Sequence, residues 1–304
     1  MKIASLLPAA TEIVYALGLG EDLVGVTDEC DYPPDAVTKP VISRSALPQG
    51  RLQTPREIDE AVREQVGGDG QLYVLDRDLL RREQPDVILT QDLCRVCAVP
   101  SGQVQRALDE LGLPDAKVVS LDPNTLEEVV AQVETVGTLL DREDRGKEIA
   151  EAMRIRIAKV KDAAKRVLSL SVFCLEWSDP PFSAGHWMPE MVEAVGAVPV
   201  LAEKGKPSRE VAWHEIRSAG PELVVFMPCG YYLEEAEEEA QSFLDHPEFA
   251  DTPAARNGNV FAVDATSYFS RPGPRIVDGL ETLAWAAHPE DYPEPPPGTI
   301  TRLR

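Results

Sequence analysis

The sequence predicts an α/β fold in two lobes, and three observations carry the prediction. Apolar strand-like runs alternate with amphipathic helical ones through residues 1–123. A long helical stretch, residues 124–167, interrupts the alternation, and residues 168–304 resume it. Alternation of this kind implies mostly parallel sheets with helices on both faces. A chain of 304 residues is also long for one hydrophobic core and comfortable for two.

The first lobe opens with KIASLL as a strand and ATEIVYALG as a helix stopped by the glycines near its end. DLVGVT is a short strand, and PREIDEAVREQV (55–66) is an amphipathic helix with Pro55 in its first turn, where the missing N–H is harmless. After the breaker GGDG come LYVLD as a short extended piece, RDLLRREQP as a helix ended by Pro85, and DVILT as a strand. SGQVQRALDELG is a helix and KVVSLD a strand. NTLEEVVAQVETVGTLL is helical, with Asn124 or Thr125 as its cap, and helical periodicity continues through DREDRGKEIAEAMRIRIAKVKDAAKRV. This stretch is either a strut between two lobes or two ordinary helices packed on one sheet.

The second lobe starts with the strand LSLSVFCLEW and the helix MPEMVEAVG. VAWHEIRSAGP is a helix, LVVFMP a strand, EEAEEEAQSFLD a helix with a solvated acidic face, NVFAVDA a strand and PRIVDGLETLAWAA the last helix. The proline-rich tail DYPEPPPGTITRLR reads as extended. One internal echo links the lobes: PDVILTQDLC (85–94) and PELVVFMPCG (221–230) share a Pro-acid start, a four-residue apolar run and a turn bearing cysteine.

Composition narrows the function. Thirty basic against 52 acidic residues give a net charge of −22, which argues against nucleic-acid and anionic-membrane partners. No apolar run reaches the roughly 18 residues that a membrane span needs, so membrane insertion is not expected. The start, MKIASLLPAATEIVYALGLG, lacks the basic head and uninterrupted apolar middle of a secretory leader. The expectation is a cytoplasmic protein, or a periplasmic or extracellular one if a leader has been removed. No GxGxxG, P-loop or GxSxG pattern is present, so an enzyme is not expected.

Several stretches together resemble the periplasmic vitamin B12-binding protein family, part of the superfamily that serves ABC importers of cobalamin and ferric siderophores. SLLPAATEIVYALGLGEDLVGVTDECDYPP resembles the family's opening, and LSVFCLEWSDPPFSAGHWMPEMVEAVGA its entry to the second lobe. PDVILT, SLDPNTLEEV and SRPGPRIVDGLETLA also fit, so the resemblance runs from Met1 to about Ala287. It implies an N-terminal α/β lobe (1–123), a connecting helical segment (124–167) acting as a rigid backbone helix, and a C-terminal α/β lobe (168–304), with a ligand held in a cleft between the lobes. It further implies a monomer that binds a corrinoid or related metal chelate without chemistry, as carrier or sensor, with an ABC permease as a possible partner. In the family an acidic residue on each lobe docks to the permease, and Glu215 falls near the second-lobe position. The chain departs from the family in its missing leader, in an insertion around Thr54 to Asp76, and in its cysteines.

Ligands of open α/β folds bind beyond the carboxyl ends of the strands. Cys30 follows LVGVT, Cys94 and Cys97 follow DVILT, and Cys229 follows LVVFM. If the lobes face each other as the resemblance implies, these four thiols suit a soft-metal site, and the alternative function is a cytoplasmic metalloprotein holding zinc or an iron–sulfur cluster. The alternatives are that they contact a bulky ligand or its metal, form a redox pair, or are incidental. Cys174, inside its strand, is expected in the core. His186 is either a ligand to the metal of a chelate or a locally bonded loop histidine, and His214, His246 and His288 are expected at the surface. Trp177 and Trp187 offer flat faces to a macrocycle, with core packing the alternative, and Tyr231 and Tyr232 follow Cys229 toward the same place. Arg271 and Arg275 either meet an anionic ligand group or pair with an acid.

Overall fold

A computed structural model describes residues 1–47, 54–67, 72–93 and 98–304. The chain divides into two compact units, one of Met1–Pro123 with Ala131–Ala150, the other of Asn124–Val130 with Glu151–Arg304. In the first, β1 (Ile3–Ser5), β2 (Leu23–Thr27), β3 (Val41–Ser45), β4 (Tyr73–Leu75), β5 (Val87–Thr90) and β6 (Lys117–Ser120) form a sheet in the order β4-β3-β2-β1-β5-β6. Neighbours run parallel except β4, which is antiparallel to β3. The helices are α1 (Pro8–Ala16), α2 (Pro55–Gly67), α3 (Arg77–Glu83) and α4 (Ser101–Leu111). The core on one face includes Leu6, Ile42, Leu80, Ile88, Val104 and Leu108.

The helical stretch expected at 124–167 is α5 (Leu126–Leu139) and the 22-residue α6 (Glu143–Ala164). Between them Asp141 takes a φ of +56°, and the Arg142 N–H reaches back to Gly137 O at 2.7 Å, the bond that ends a helix through a left-handed residue. Helical periodicity continues across this break, which hides it in the sequence. The two helices approach so closely that a Cβ on Gly137 would stand 2.9 Å from the Gly146 Cα.

In the second unit β7 (Ser171–Ser178), β8 (Pro181–Ser183), β9 (Val198–Pro199), β10 (Arg209–Glu210), β11 (Leu223–Phe226), β12 (Val260–Val263) and β13 (Ile300–Arg302) form a sheet in the order β10-β8-β7-β11-β12-β13, with β9 on β7. The β7, β11 and β12 strands are mutually parallel, while β8, β10 and β13 pair antiparallel with their neighbours. Around the sheet lie α7 (Met188–Ala194), α8 (Trp213–Ala219), α9 (Leu233–Ala240), α10 (Pro247–Ala250), α11 (Pro253–Asn257), α12 (Ala265–Tyr268) and α13 (Ile276–Ala287). Phe226, Phe243 and Phe249 pack edge to face at 4.9 and 5.0 Å in its core. The tail is extended as expected and also contributes β13, because the β-branched Ile300-Thr301 can pair with the edge of β12.

The echoed segments are structural equivalents. Both β5 and β11 lie between the first parallel strand of their sheet and the next one along. In each, the acid after the proline receives the N–H at the start of that first strand: Lys2 N donates to Asp86 Oδ2 at 2.7 Å and Ser171 N to Glu222 Oε2 at 2.8 Å. The backbones repeat the match, with Asp86 N on Lys2 O and Glu222 N on Ser171 O.

Candidate functional site

The carboxyl ends of the parallel strands β7 and β11 bring Trp177, Cys229 and Tyr231 to one edge of the second sheet, while His186 and Trp187 follow the antiparallel β8. The loops that follow are tied together by the backbone. Met227 N–H donates to Leu175 O at 2.9 Å, Cys229 N–H to Glu176 O at 3.4 Å, and Thr266 N–H to Tyr231 O at 3.1 Å. Trp177 and Tyr231, both partly buried, meet edge to face at 5.6 Å. Burial, reinforced by Glu239 and Glu235, pushes the Tyr231 hydroxyl up to about 12. Asp264 caps α12 by accepting the Ser267 N–H at 2.9 Å, and the buried Thr266 Oγ1 has no hydrogen-bond partner.

His186 sits on the loop between β8 and α7 with a left-handed φ of +52°. Its Nδ1 is buried and has no hydrogen-bond partner. Burial lowers its pKa, which favours the neutral ring, the form in which one ring nitrogen carries a lone pair. The ring lies 5.8 Å from that of Trp187. Glu176, which sequence reasoning passed over, is also on this edge. Burial raises its carboxyl, while hydrogen bonds from the Ser208 hydroxyl and the Gly185 amide oppose the rise. The available signal was a lone acid inside the apolar run VFCLEW.

The remaining predicted residues divide. Trp187 is 6% exposed and its Nε1–H donates to Phe269 O at 3.0 Å, so this indole packs in the interior and its face is not available to a macrocycle. Arg271 is buried and engaged within the protein, and the Arg275 guanidinium lies 5.6 Å from the centre of the Tyr268 ring. Tyr232 is exposed. Cys174 is in the core, its thiol pushed up to about 12 by burial and then by Glu176. Of the histidines expected at the surface, His214 is exposed and His246 is partly buried, stacked on Trp213 at 4.9 Å. His288 is the correction: it is 8% exposed, its Nε2 is 3.1 Å from Val195 O, and burial lowers its pKa. It terminates α13, whose buried face carries it inward. Glu215 caps α8 by accepting the Ala212 N–H at 2.7 Å and remains partly exposed.

The first sheet ends in smaller groups. Cys30, 4% exposed, has its Sγ 3.0 Å from Thr11 Oγ1, and the Thr11 hydroxyl donates to Ser5 Oγ, which donates to Leu7 O. Gln91, buried after β5, has an Nε2 without a hydrogen-bond partner. Just after β5, the Asp92 and Leu93 N–H groups donate to Asp122 Oδ1 at 2.6 and 2.7 Å, and Asp92 accepts the Ser101 N–H and hydroxyl at the start of α4. Cys94 and Cys97 lie outside the described residues. Cys30 belongs to the first unit, and the partly buried Cys229 to the second. Among the described residues no group of three or more His, Cys, Asp or Glu side chains is placed to hold a metal ion. The zinc or iron–sulfur reading and its cysteine cluster therefore gain no support. Among the described residues, no helix is long and apolar enough to cross a membrane.

Comparison with known proteins agrees with this architecture. A vitamin B12-binding protein of Vibrio cholerae is 24% identical over 285 residues, covering 93% of this chain and 87% of the relative. An uncharacterized ABC transporter substrate-binding lipoprotein of Bacillus subtilis is 23% identical over 299 residues, covering 96% and 82%. The crystal structure of the periplasmic vitamin B12 binding protein of V. cholerae superposes with a TM-score of 0.68 at 21% identity, covering 94% of this chain and 96% of the other. That of a periplasmic heme-binding protein from Roseiflexus gives 0.68 at 22%, covering 95% and 98%. These neighbours share the two-lobed α/β fold. Residues 3–266 match the family described as periplasmic binding protein, and the chain belongs to that family.

Proposed function

We propose that this protein binds a metal chelate of the corrinoid, haem or siderophore class and hands it on unchanged, with a corrinoid as the first candidate and an ABC permease as the recipient. The observation that carries this reading is His186. Its buried Nδ1 lacks a hydrogen-bond partner, and it follows β8, the strand paired with the β7 that carries Trp177 of the Trp177–Tyr231 pair. A flat, largely apolar macrocycle wants aromatic surface, and its metal wants a neutral nitrogen or an oxygen. Vitamin B12-binding and ABC substrate-binding relatives along nearly the whole chain support the class of cargo and of recipient. The family's role is binding, so no reaction is proposed, and the protein is taken to act as a monomer.

The test is titration of the purified protein with hydroxocobalamin and, separately, haemin, followed in the visible spectrum, with mass spectrometry of the recovered ligand. Saturable one-to-one binding of hydroxocobalamin at micromolar or lower concentration, with the ligand recovered intact, is expected. Haemin binding without hydroxocobalamin binding would move the cargo to haem, and binding of neither would reject both. Cell fractionation tests the periplasmic placement that the family name carries.

A further inference from the structure

Glu176 owes its direction to an irregularity. The β7–β8 ladder pairs Leu175 with Ser183 and Trp177 with Phe182, leaving Glu176 as the extra residue. A bulge of this kind breaks the alternation of faces and re-aims the side chain it carries. The Glu176 carboxylate accepts the Ser208 hydroxyl, and Ser208 Oγ in turn accepts the Gly185 N–H at 3.1 Å. Gly185 lies so close to this strap that a Cβ would stand 2.4 Å from both Lys206 O and Ser208 N. The strap then grips the next residue from both sides. His186 N–H donates to Lys206 O at 2.6 Å, and His186 C=O accepts the Gly205 N–H at 3.1 Å. These bonds hold a histidine in the left-handed region that a residue with a side chain seldom occupies.

We propose that Glu176 is the positioning residue that fixes His186 for its ligand, acting through Ser208 and Gly185; this rests on reading His186 as a ligand contact. A carboxylate accepting a hydroxyl in a buried setting makes a strong, directional bond, suited to setting a loop. The same bulge accepts Cys229 N–H on its backbone carbonyl, next to the loop that carries Tyr231.

Two measurements separate this inference from the reading beneath it. Amide hydrogen exchange in the ligand-free protein reads the clamp. Glu176→Ala and Ser208→Ala each speed exchange at His186 and Gly205 by about tenfold, while β11 amides stay unchanged. Glu176→Gln keeps an oxygen that accepts from Ser208 and stays within about twofold of wild type. Unchanged exchange at His186 and Gly205 in both alanine variants overturns the proposal, as does general acceleration that includes β11. Titration with hydroxocobalamin and haemin reads the ligand. Affinity reduced about tenfold by Glu176→Ala and restored by Glu176→Gln supports the proposal, and affinity indifferent to Glu176→Ala overturns it. Binding of neither probe by wild type, with the exchange response intact, rejects the functional reading and still supports Glu176 as the residue that fixes His186.

Discussion

At the carboxyl end of the first sheet, small groups run into one another: Cys30 to Thr11, Thr11 to Ser5, Ser5 to the Leu7 carbonyl. At the same end of the second sheet two large rings, Trp177 and Tyr231, meet edge to face, while each end also holds a buried polar atom without a hydrogen-bond partner, Gln91 Nε2 in the first and Thr266 Oγ1 in the second. The strands beneath are laid out on one plan, down to Asp86 and Glu222 receiving the same N–H at the start of their sheets. The difference teaches that the repeat is one of scaffold and not of chemistry. The scaffold is fixed by parallel pairing and Pro-acid starts, and the edge residues are free to differ because pairing does not involve them.

The largest effect that would test this contrast is at Gly185. Gly185→Ala forces a Cβ against Lys206 O and Ser208 N at 2.4 Å. It should cost about 3 kcal/mol in urea unfolding, together with loss of hydroxocobalamin binding. A near-neutral result would mean that the strap yields and the edge is not preorganised. Next, Trp177→Ala and Tyr231→Ala should each weaken hydroxocobalamin by about tenfold, while Cys30→Ser stays within about twofold. Equal losses from Cys30→Ser would erase the distinction between the edges.

Smaller effects probe the shared scaffold. Asp86→Ala and Glu222→Ala should each cost about 1 kcal/mol, alike in the two units, because each removes one charge-assisted acceptor at the sheet surface. A difference of several-fold between them would break the equivalence. The smallest effect is pH dependence. The Tyr231 hydroxyl is raised from 10.0 to about 12 in the folded chain, so above pH 10 the unfolded chain releases that proton first. Stability should therefore fall as pH rises from about 10 to about 12, and Tyr231→Phe should flatten that fall relative to wild type. A Tyr231→Phe profile that follows wild type would place the ring in a wetter setting.

The strands and helices of the repeated plan were legible because their signals are local. Apolar runs bounded by Pro-acid starts mark β5 and β11, and amphipathic periodicity marks α2 and α4. What escaped depends on distance along the chain or on backbone shape. Ser208 meets Glu176 across 32 residues and through a bulge, neither of which has a local sequence signature. Trp187 and His186 are adjacent and equally plausible as ligand contacts, yet one is buried with its indole N–H on the Phe269 carbonyl and the other has a ring nitrogen without a hydrogen-bond partner. The His288 burial follows from the fold around α13 and not from its neighbours in sequence.

The assignment of α5 and α6 has a practical consequence for anyone wishing to take the protein apart. The first residues of α5 belong with the second unit and the rest with the first, while α6 begins in the first unit and finishes in the second. No single peptide bond separates the halves: a gene split after Pro123 would strip the first half of Ala131–Ala150, and a split after Ala150 would hand it Asn124–Val130 from the second. Fragments made at either point should be less stable to urea than the same units in the intact chain, because each cut moves a helical segment away from the unit it packs with.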